Sequence, residues 1–211
     1  MPSVFGGGVR EPSALPLFPL RTVLFPGGLL PLRVFEQRYI GMVKDCMRDG
    51  RPFGVCLITE GEEVARPGAS ALRFAAVGTL ASIVDFDMPQ QGVLHVTVQG
   101  GTRFGVQGHA TEASGLVIGR VTAIAAEPAS ALPARHAPLA RLLELIAGRV
   151  GAANFPAQAH YGDASWVGYR LAELLPLPLT IKQHMLEIND AGVRLSALAQ
   201  YCEAQGLLQA P

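Results

Sequence analysis

The sequence is poor in charge, in lysine and in tryptophan, and the first two shortages argue against whole classes of partner. Charged residues make up 16% of its 211 positions and the formal net charge is zero, which gives no electrostatic case for nucleic acid or an anionic membrane. Only two of the seventeen basic residues are lysines, Lys44 and Lys182, and the arginines are scattered without a basic run. We therefore do not expect nucleic acid as a partner.

Cysteine is also scarce, and its placement bears on the compartment. Cys46, Cys56 and Cys202 are odd in number and widely spaced, which fits neither a disulfide framework nor a zinc site. The first residues lack the charged-then-apolar layout of a signal peptide. No apolar run reaches the roughly 18 residues that a membrane span needs. We expect a soluble, cytoplasmic chain with free thiols and no membrane partner.

Motifs for catalysis are missing as well. The chain has no Gly-Lys pair, which a phosphate-binding P-loop requires, and no G-x-S-x-G nucleophile elbow. The glycine-rich segment 100–105 lies between two predicted strands, whereas a dinucleotide fingerprint must open a helix, so we interpret it as a hairpin turn. The five histidines lack the spacing of metal ligands. We expect no enzyme activity, no cofactor and no metal.

What the sequence does have is a proline-rich stretch at residues 15–39, LPLFPLRTVLFPGGLLPLRVFEQRY. Its prolines interrupt short apolar runs, and because proline is confined to strand edges and turns, we predict short strands here. The triplet Pro26-Gly27-Gly28 predicts a turn between them. At Glu36 the apolar spacing becomes helical, and the helix predicted over 36–48 ends at Asp49-Gly50.

The remainder of the first half has the alternation and the turn residues of β-strands. The predicted strands cover 53–59, 72–86 with a bend at Gly78, 93–98, 102–107 and 116–125. Residues 87–92 are predicted to form a turn. Long strands joined by short turns, with glycines at the bends, indicate a small closed or nearly closed barrel.

The second half changes to helical spacing after a linker rich in alanine, serine and proline. Leucine, isoleucine and valine form an apolar stripe over 139–150. Asp163 and Asp190 are expected to cap later helices, and Thr180 has the capping-box spacing that opens another. The predicted organisation is a flexible tail over 1–13, a β-barrel-like part over 14–127 and a helical part over 131–208.

Several motifs occur in the order found in the amino-terminal domain of the ATP-dependent protease Lon. The stretch 15–39 resembles the opening of that domain most strongly, and the later matches are Arg51-Pro52-Phe53-Gly54-Val55, 77–81, 101–104 and 174–177. The resemblance covers roughly residues 14–208. It implies an α+β fold, with a PUA-like β pseudobarrel carrying one early helix and then a C-terminal helical bundle, in agreement with the strand and helix predictions.

The resemblance also implies a function. It indicates a non-catalytic binding or adaptor module that engages unfolded or specific polypeptides, because the ATPase and protease modules of Lon have no counterpart in this sequence. The alternative is a small-molecule or RNA binder that uses the PUA-like barrel. An exposed apolar groove would favour a polypeptide partner, and a basic groove with stacked aromatic residues would favour nucleic acid.

The candidate binding residues cluster around the early helix, with two farther along the chain: Phe35, Glu36, Arg38, Tyr39, Arg103 and Trp166. A structural role is the alternative for each of the first four and for Trp166, the only tryptophan. Glu36 can complement the helix dipole, Arg38 can pair with a carboxylate, and large aromatic residues dominate burial. We further expect Phe35 and Tyr39 to lock the helix onto the barrel, so that Phe35→Ala would cost about 3–5 kcal/mol.

Overall fold

The computed structural model describes residues 13–63, 72–151 and 155–208. The chain divides into two compact units, Met1–Ala125 and Ala126–Pro211. Most of the tail predicted over 1–13 lies outside the described residues, and Ser13 already belongs to the first strand.

Strands dominate the first unit. In chain order its elements are β1 (Ser13–Leu20), β2 (Leu29–Val34), α1 (Gln37–Asp49), β3 (Phe53–Glu60), β4 (Arg73–Phe74), β5 (Val77–Gln90), β6 (Val93–Thr111) and β7 (Val117–Ala123). Strands β1, β7, β6, β5 and β3 pair in that order, and β1 pairs in turn with β3, so these strands close on themselves. The β1–β3 pair is parallel, and β2 pairs with β6 outside the ring. The barrel prediction is confirmed, and the PUA-like description fits this arrangement.

Strand β6 is a single element of 19 residues, so the hairpin turn predicted at 100–105 is wrong. At Gly100 the strand passes against the Pro26-Gly27-Gly28 turn. The Gly100 N–H donates to the Gly28 carbonyl at 2.8 Å, and its own carbonyl accepts from the Gly27 N–H at 2.7 Å. A Cβ on Gly100 would lie 2.1 Å from the carbonyl oxygen of Phe25. Glycine is therefore required here because two backbone segments approach closely, and the chain does not reverse direction at this position.

The segment predicted as one strand over 72–86 is divided between β4 and β5. The break falls at Ala75-Ala76 and not at Gly78. Gly78 instead lies within the pairing of β5 with β6, where a Cβ would be 2.6 Å from the Phe104 ring. It is thus a position at which a side chain cannot fit beside the core.

Strand β5 continues to Gln90, through most of the turn predicted over 87–92. Ala81 pairs with Phe53, the first residue of β3. Beyond Ala81, within the described part of the chain, β5 pairs with β6 alone. Its other edge therefore has no strand partner over 82–90 within those residues.

Helix α1 covers the larger apolar core cluster of the unit. It buries Tyr39 and four other residues, Ile40, Met42, Val43 and Cys46, and the Tyr39 ring stacks on Phe18 with 4.0 Å between centroids. Phe35 is 51% exposed, so the prediction that it locks α1 onto the barrel is wrong. Because Val34 on β2 points into the core, the side chain of the next residue points outward. A loss of about 3–5 kcal/mol for Phe35→Ala, the range for buried aromatics, is no longer expected.

The second unit is helical. After a 3-10 turn at Ala134–His136 come α2 (Ala137–Val150), α3 (Ala164–Leu174), α4 (Leu179–Glu187) and α5 (Ala191–Ala204), and α3 packs against the other three helices. Asp163 and Asp190 are the predicted caps, accepting from the N–H groups of Trp166 at 2.7 Å and Val193 at 2.9 Å. Thr180 is not a cap, because α4 begins at Leu179 and Pro178 holds the N-cap position.

Candidate functional site

An open groove of about 340 Å³ lies between the C-terminal end of α1 and the outer edge of β5. Helix α1 contributes Cys46 and Met47 to its lining, and β5 contributes the segment from Ser82 to Phe86. Met47 and Ile83 also pack against the larger core cluster. The apolar side of the groove is therefore continuous with the core of the unit.

Three large apolar side chains on β5 are exposed near this groove. They are Val84 at 53%, Phe86 at 58% and Met88 at 58%. Phe86 pairs with the buried Val96 on β6, and directly paired residues share one face of a sheet. Phe86 therefore extends the core-facing side of the sheet into solvent. Apolar side chains grouped this way mark sites of association more often than single exposed residues do.

The acidic residues between them lie on the opposite face. Asp85 pairs with Thr97, and Asp87 pairs with His95; both aspartates and His95 are exposed. The Asp87 carboxylate also accepts from the Met88 N–H at 2.8 Å. Segment 85–87 consequently presents two acidic groups on one face and the Phe86 ring on the other.

The backbone edge beside this groove adds hydrogen-bonding capacity. Residues 82–90 have no second strand partner among the described residues, and an unpaired edge is a template for another strand. The two aspartates discourage pairing between identical edges, whereas the register shift between Ile83 and Asp85 and Pro89 restrict where any strand can be added. The edge suits a different sequence better than a second copy of itself.

Four of the candidate residues proposed from sequence meet at the start of α1. Phe35, Glu36 and Tyr39 line a cavity of about 60 Å³. Arg38 donates to the Glu36 carboxylate at 2.9 Å and to the Gly115 carbonyl at 2.8 Å, and its guanidinium lies 4.5 Å from the centre of the Tyr39 ring. This cavity is therefore much smaller than the groove of about 340 Å³ between α1 and β5.

The Tyr39 hydroxyl is buried and finds no hydrogen-bond partner within the described residues. Burial raises the pKa of Tyr39 to about 12; Arg38 opposes the shift, whereas Glu36 and Glu63 add to it. The phenol therefore stays protonated at neutral pH. This group is suited to packing and to a single hydrogen bond, and it cannot act as a base.

Arg103 and Trp166 do not join this cluster. Arg103 is only 3% exposed and pairs with Thr79 inside the sheet, so its side chain is interior. Trp166 belongs to the helical unit, where the rings of Phe155, His160 and Tyr161 meet it edge-on at centroid distances of 5.8, 6.0 and 5.2 Å. That arrangement is typical of aromatic packing.

The helical unit contains a buried ion pair that no sequence pattern indicates. The Glu127 carboxylate accepts from Ser165 at 2.7 Å, from the Tyr169 hydroxyl at 2.6 Å and from two guanidinium nitrogens of Arg194, one of them at 3.1 Å. Arg194 is fully buried, lies 3.9 Å from the centre of the Tyr169 ring, and also donates to the carbonyls of Met185 and Ile188. Because these charges satisfy each other away from solvent, the network ties helices together and offers no site.

The Glu127 carboxyl titrates differently from an exposed one. Burial raises its pKa, but the hydrogen bonds from Arg194, Ser165 and Tyr169 outweigh burial and hold the pKa below the ordinary value of 4.5. The carboxylate therefore stays charged near neutral pH, as its ion pair requires.

Residues for cofactor or membrane chemistry do not come together in the described segments. No three His, Cys, Asp or Glu side chains there are placed to hold a metal ion. None of the described helices combines the length and apolar character that crossing a bilayer demands. The cysteines are buried free thiols.

The exposed residues of β5 were missed at the level of sequence, although a signal was present. Val84-Asp85-Phe86-Asp87-Met88 alternates strictly between apolar and acidic residues, which is the pattern of a two-faced strand. The prediction ended the strand at Phe86 because Asp87 and Pro89 are turn residues. The structure shows that the strand continues to Gln90 despite these turn residues, as the alternation of apolar and acidic residues indicates.

Comparison with known proteins points to a single family. The sequence matches the family model for the substrate-binding domain of ATP-dependent protease La (LON) over residues 14–202. It is 33% identical over 199 residues to Lon protease 2 of Myxococcus xanthus, covering 90% of this chain and 23% of the relative. It is 42% identical over 96 residues to the Lon protease of Anaeromyxobacter dehalogenans, covering 45% and 11%. The chain thus spans less than a quarter of the length of these curated relatives.

Solved structures agree in fold. The crystal structure of a Lon N-terminal domain protein from Xanthomonas campestris superposes with a TM-score of 0.72 and 38% identity, covering 90% of this chain and 98% of that one. The N-terminal domain of the Lon protease from the Mycobacterium avium complex gives a TM-score of 0.60 at 16% identity, with the same coverage, and is similar in fold. The family model describes a substrate-binding domain, not an ATPase or a protease.

Proposed function

Because the chain belongs to the Lon substrate-binding domain family, we propose that it binds extended, apolar segments of unfolded polypeptide without catalysing their turnover. The observation that carries this proposal is the groove between α1 and β5, with exposed Phe86 and Met88 beside an unpaired strand edge. A polypeptide can use both features at once. Its backbone pairs with the edge while alternate side chains enter the groove.

The chemistry of the groove favours polypeptide over nucleic acid. Its lining includes Met47, Ile83, Val84 and Phe86, and the basic residue in its described lining, Arg51, donates to the Asp49 carboxylate. Binding of single-stranded nucleic acid relies instead on a positive groove with stacked aromatic residues. The affinity for unfolded polypeptide should be micromolar or weaker, because ordering a flexible chain offsets much of the contact energy.

We expect Phe86→Ala to weaken binding of an unfolded polypeptide about tenfold, because Phe86 is the large aromatic side chain beside the groove. The matched control is Phe35→Ala, which removes a similarly exposed phenylalanine from the small cavity at the start of α1. A reduced and alkylated protein that stays unfolded serves as the probe, with fluorescence anisotropy as the readout. Labelled single-stranded RNA is titrated in parallel at low and moderate salt.

The pair of variants distinguishes the two surfaces. Loss of binding in Phe35→Ala with Phe86→Ala unchanged would move the site to the start of α1, where Glu36, Arg38 and Tyr39 also lie. Tight RNA binding that weakens steeply with salt would contradict the polypeptide proposal, because that dependence counts the ions released from phosphates.

A further inference from the structure

We propose that the β5 edge selects polypeptide segments in which apolar residues alternate with basic ones, and disfavours segments in which they alternate with acidic ones. This inference rests on the proposed function and adds a charge preference to it. It follows from the two faces of segment 85–87, where Phe86 lies on the apolar face and Asp85 and Asp87 lie on the other.

The geometry of strand addition links the two faces to sequence. A strand added along 82–88 would continue the line of β3, whose first residue Phe53 pairs with Ala81. Its side chains must alternate between the two faces of the enlarged sheet. Residues on one face meet Ile83, Phe86 and the groove, and residues on the other face meet Asp85 and Asp87.

The charges around the two aspartates decide the sign of the preference. Asp85 pairs across β6 with Thr97, which pairs with Pro31 on β2, so its strand neighbours are neutral. Arg51, which lines the groove together with Asp85, is itself paired with Asp49. Asp87 faces His95, and His95 pairs with Arg33, so part of its charge is offset from that side. Neither aspartate forms an ion pair in the described residues.

Basic residues in the added strand would therefore lie beside carboxylates, Asp85 most favourably. Opposite charges on neighbouring strands stabilise a sheet and like charges destabilise it. The same carboxylates repel a second copy of this edge, which carries aspartate at the same positions. One pair of residues thus admits a basic partner strand and discourages self-association.

The test uses three capped nine-residue peptides in which leucine alternates with lysine, with glutamine or with glutamate. We expect the lysine peptide to bind about tenfold more tightly than the glutamate peptide at low salt, with glutamine between them, and the difference to shrink as salt is added. In the double variant D85N/D87N the preference for the lysine peptide over the glutamate peptide should vanish. The side-chain amide that D87N introduces retains an acceptor for the Met88 N–H, so folding should be preserved.

A charge-matched control neutralises two exposed carboxylates far from this edge in sequence, with Glu112→Gln and Glu144→Gln together, and should keep the preference. If the three peptides bind the parent chain with equal affinity, and all three bind Phe86→Ala more weakly, the charge preference is overturned. The proposed function would still stand in that case. If no peptide binds, or if Phe86→Ala binds all three as the parent does, the proposed function fails together with the preference. A preference that survives D85N/D87N would also overturn the inference.

Discussion

Replacing Arg194 with alanine is expected to lower the free energy of unfolding of the helical unit by about 3–5 kcal/mol, because it leaves the Glu127 carboxylate buried without its cation. The Glu127 side chain is 4% exposed and the Arg194 side chain is fully buried. The variant also leaves the carbonyls of Met185 and Ile188 without this donor. Denaturant unfolding followed by the fluorescence of Trp166, the only tryptophan, reports on this unit directly.

Two further variants test whether loss of the Glu127–Arg194 ion pair causes the loss of stability. Arg149→Ala removes an exposed arginine of α2 and should cost less than about 0.5 kcal/mol, as surface substitutions usually do. The double variant of Glu127→Ala with Arg194→Ala should lose less stability than the sum of the two single losses, because the partners interact directly. A loss under about 1 kcal/mol for Arg194→Ala would mean that the guanidinium is exposed to water in solution.

The effect of Arg194→Ala should also depend on pH. The pKa of Glu127 is lower in the folded chain than its ordinary value of 4.5. The pair therefore contributes its full stability above that ordinary value, and the contribution disappears as pH falls through the lower, folded pKa. Without Arg194 the buried Glu127 carboxyl protonates at a higher pH than it does in the parent chain, so the stability difference between the parent and the variant should narrow as pH falls from neutral and should be smallest below the folded pKa of the parent.

Replacing Phe104 with alanine is expected to lower the stability of the barrel by about 3–5 kcal/mol, the usual cost of truncating a buried aromatic residue. Phe104 is fully buried in the smaller core cluster, among Leu15, Leu17, Cys56, Leu80, Val117 and Val121. Its ring occupies the space left free by Gly54 and Gly78, since a Cβ on either would lie 2.6 Å from it. Removing the ring therefore leaves a cavity that neighbouring strands cannot fill without shifting.

Hydrogen exchange of the slowest amides in β6 and β7 would measure the Phe104 effect. Phe86→Ala is the matched control, because it removes the same side chain from a position that is 58% exposed on the adjacent strand, and it should cost less than about 1 kcal/mol. Phe104→Ala should thus lower stability, whereas Phe86→Ala should weaken polypeptide binding and leave stability nearly unchanged. Equal stability losses would place Phe86 in the core.

The features that sequence predicted are those encoded by nearby residues. Asp163 and Asp190 cap helices whose accepting bonds reach only three residues ahead. The spacing of α1 likewise identified the face that buries Tyr39 and Val43. A short-range pattern suffices in such cases because the partner lies within one helical turn.

Three of the features that sequence missed depend on residues far apart. Gly100 carries the signal of a turn, but its pairing with Ala81 on β5 shows that the strand continues. Glu127 and Arg194 are separated by 67 positions, and no local sequence pattern around either residue predicts their ion pair. The unpaired edge of β5 depends on where β3 begins, at Phe53. Amino-acid composition and local sequence patterns do not determine such tertiary contacts.

The most direct test of the binding proposal is amide hydrogen exchange of the intact chain with and without the reduced and alkylated unfolded protein. Strand addition would give new partners to backbone N–H groups of β5 that point away from β6. Exchange over 82–88 should therefore slow when the polypeptide is bound, while exchange over 35–39 and 155–166 stays unchanged. Protection at the start of α1 or around Trp166, with none in β5, would contradict the proposed site.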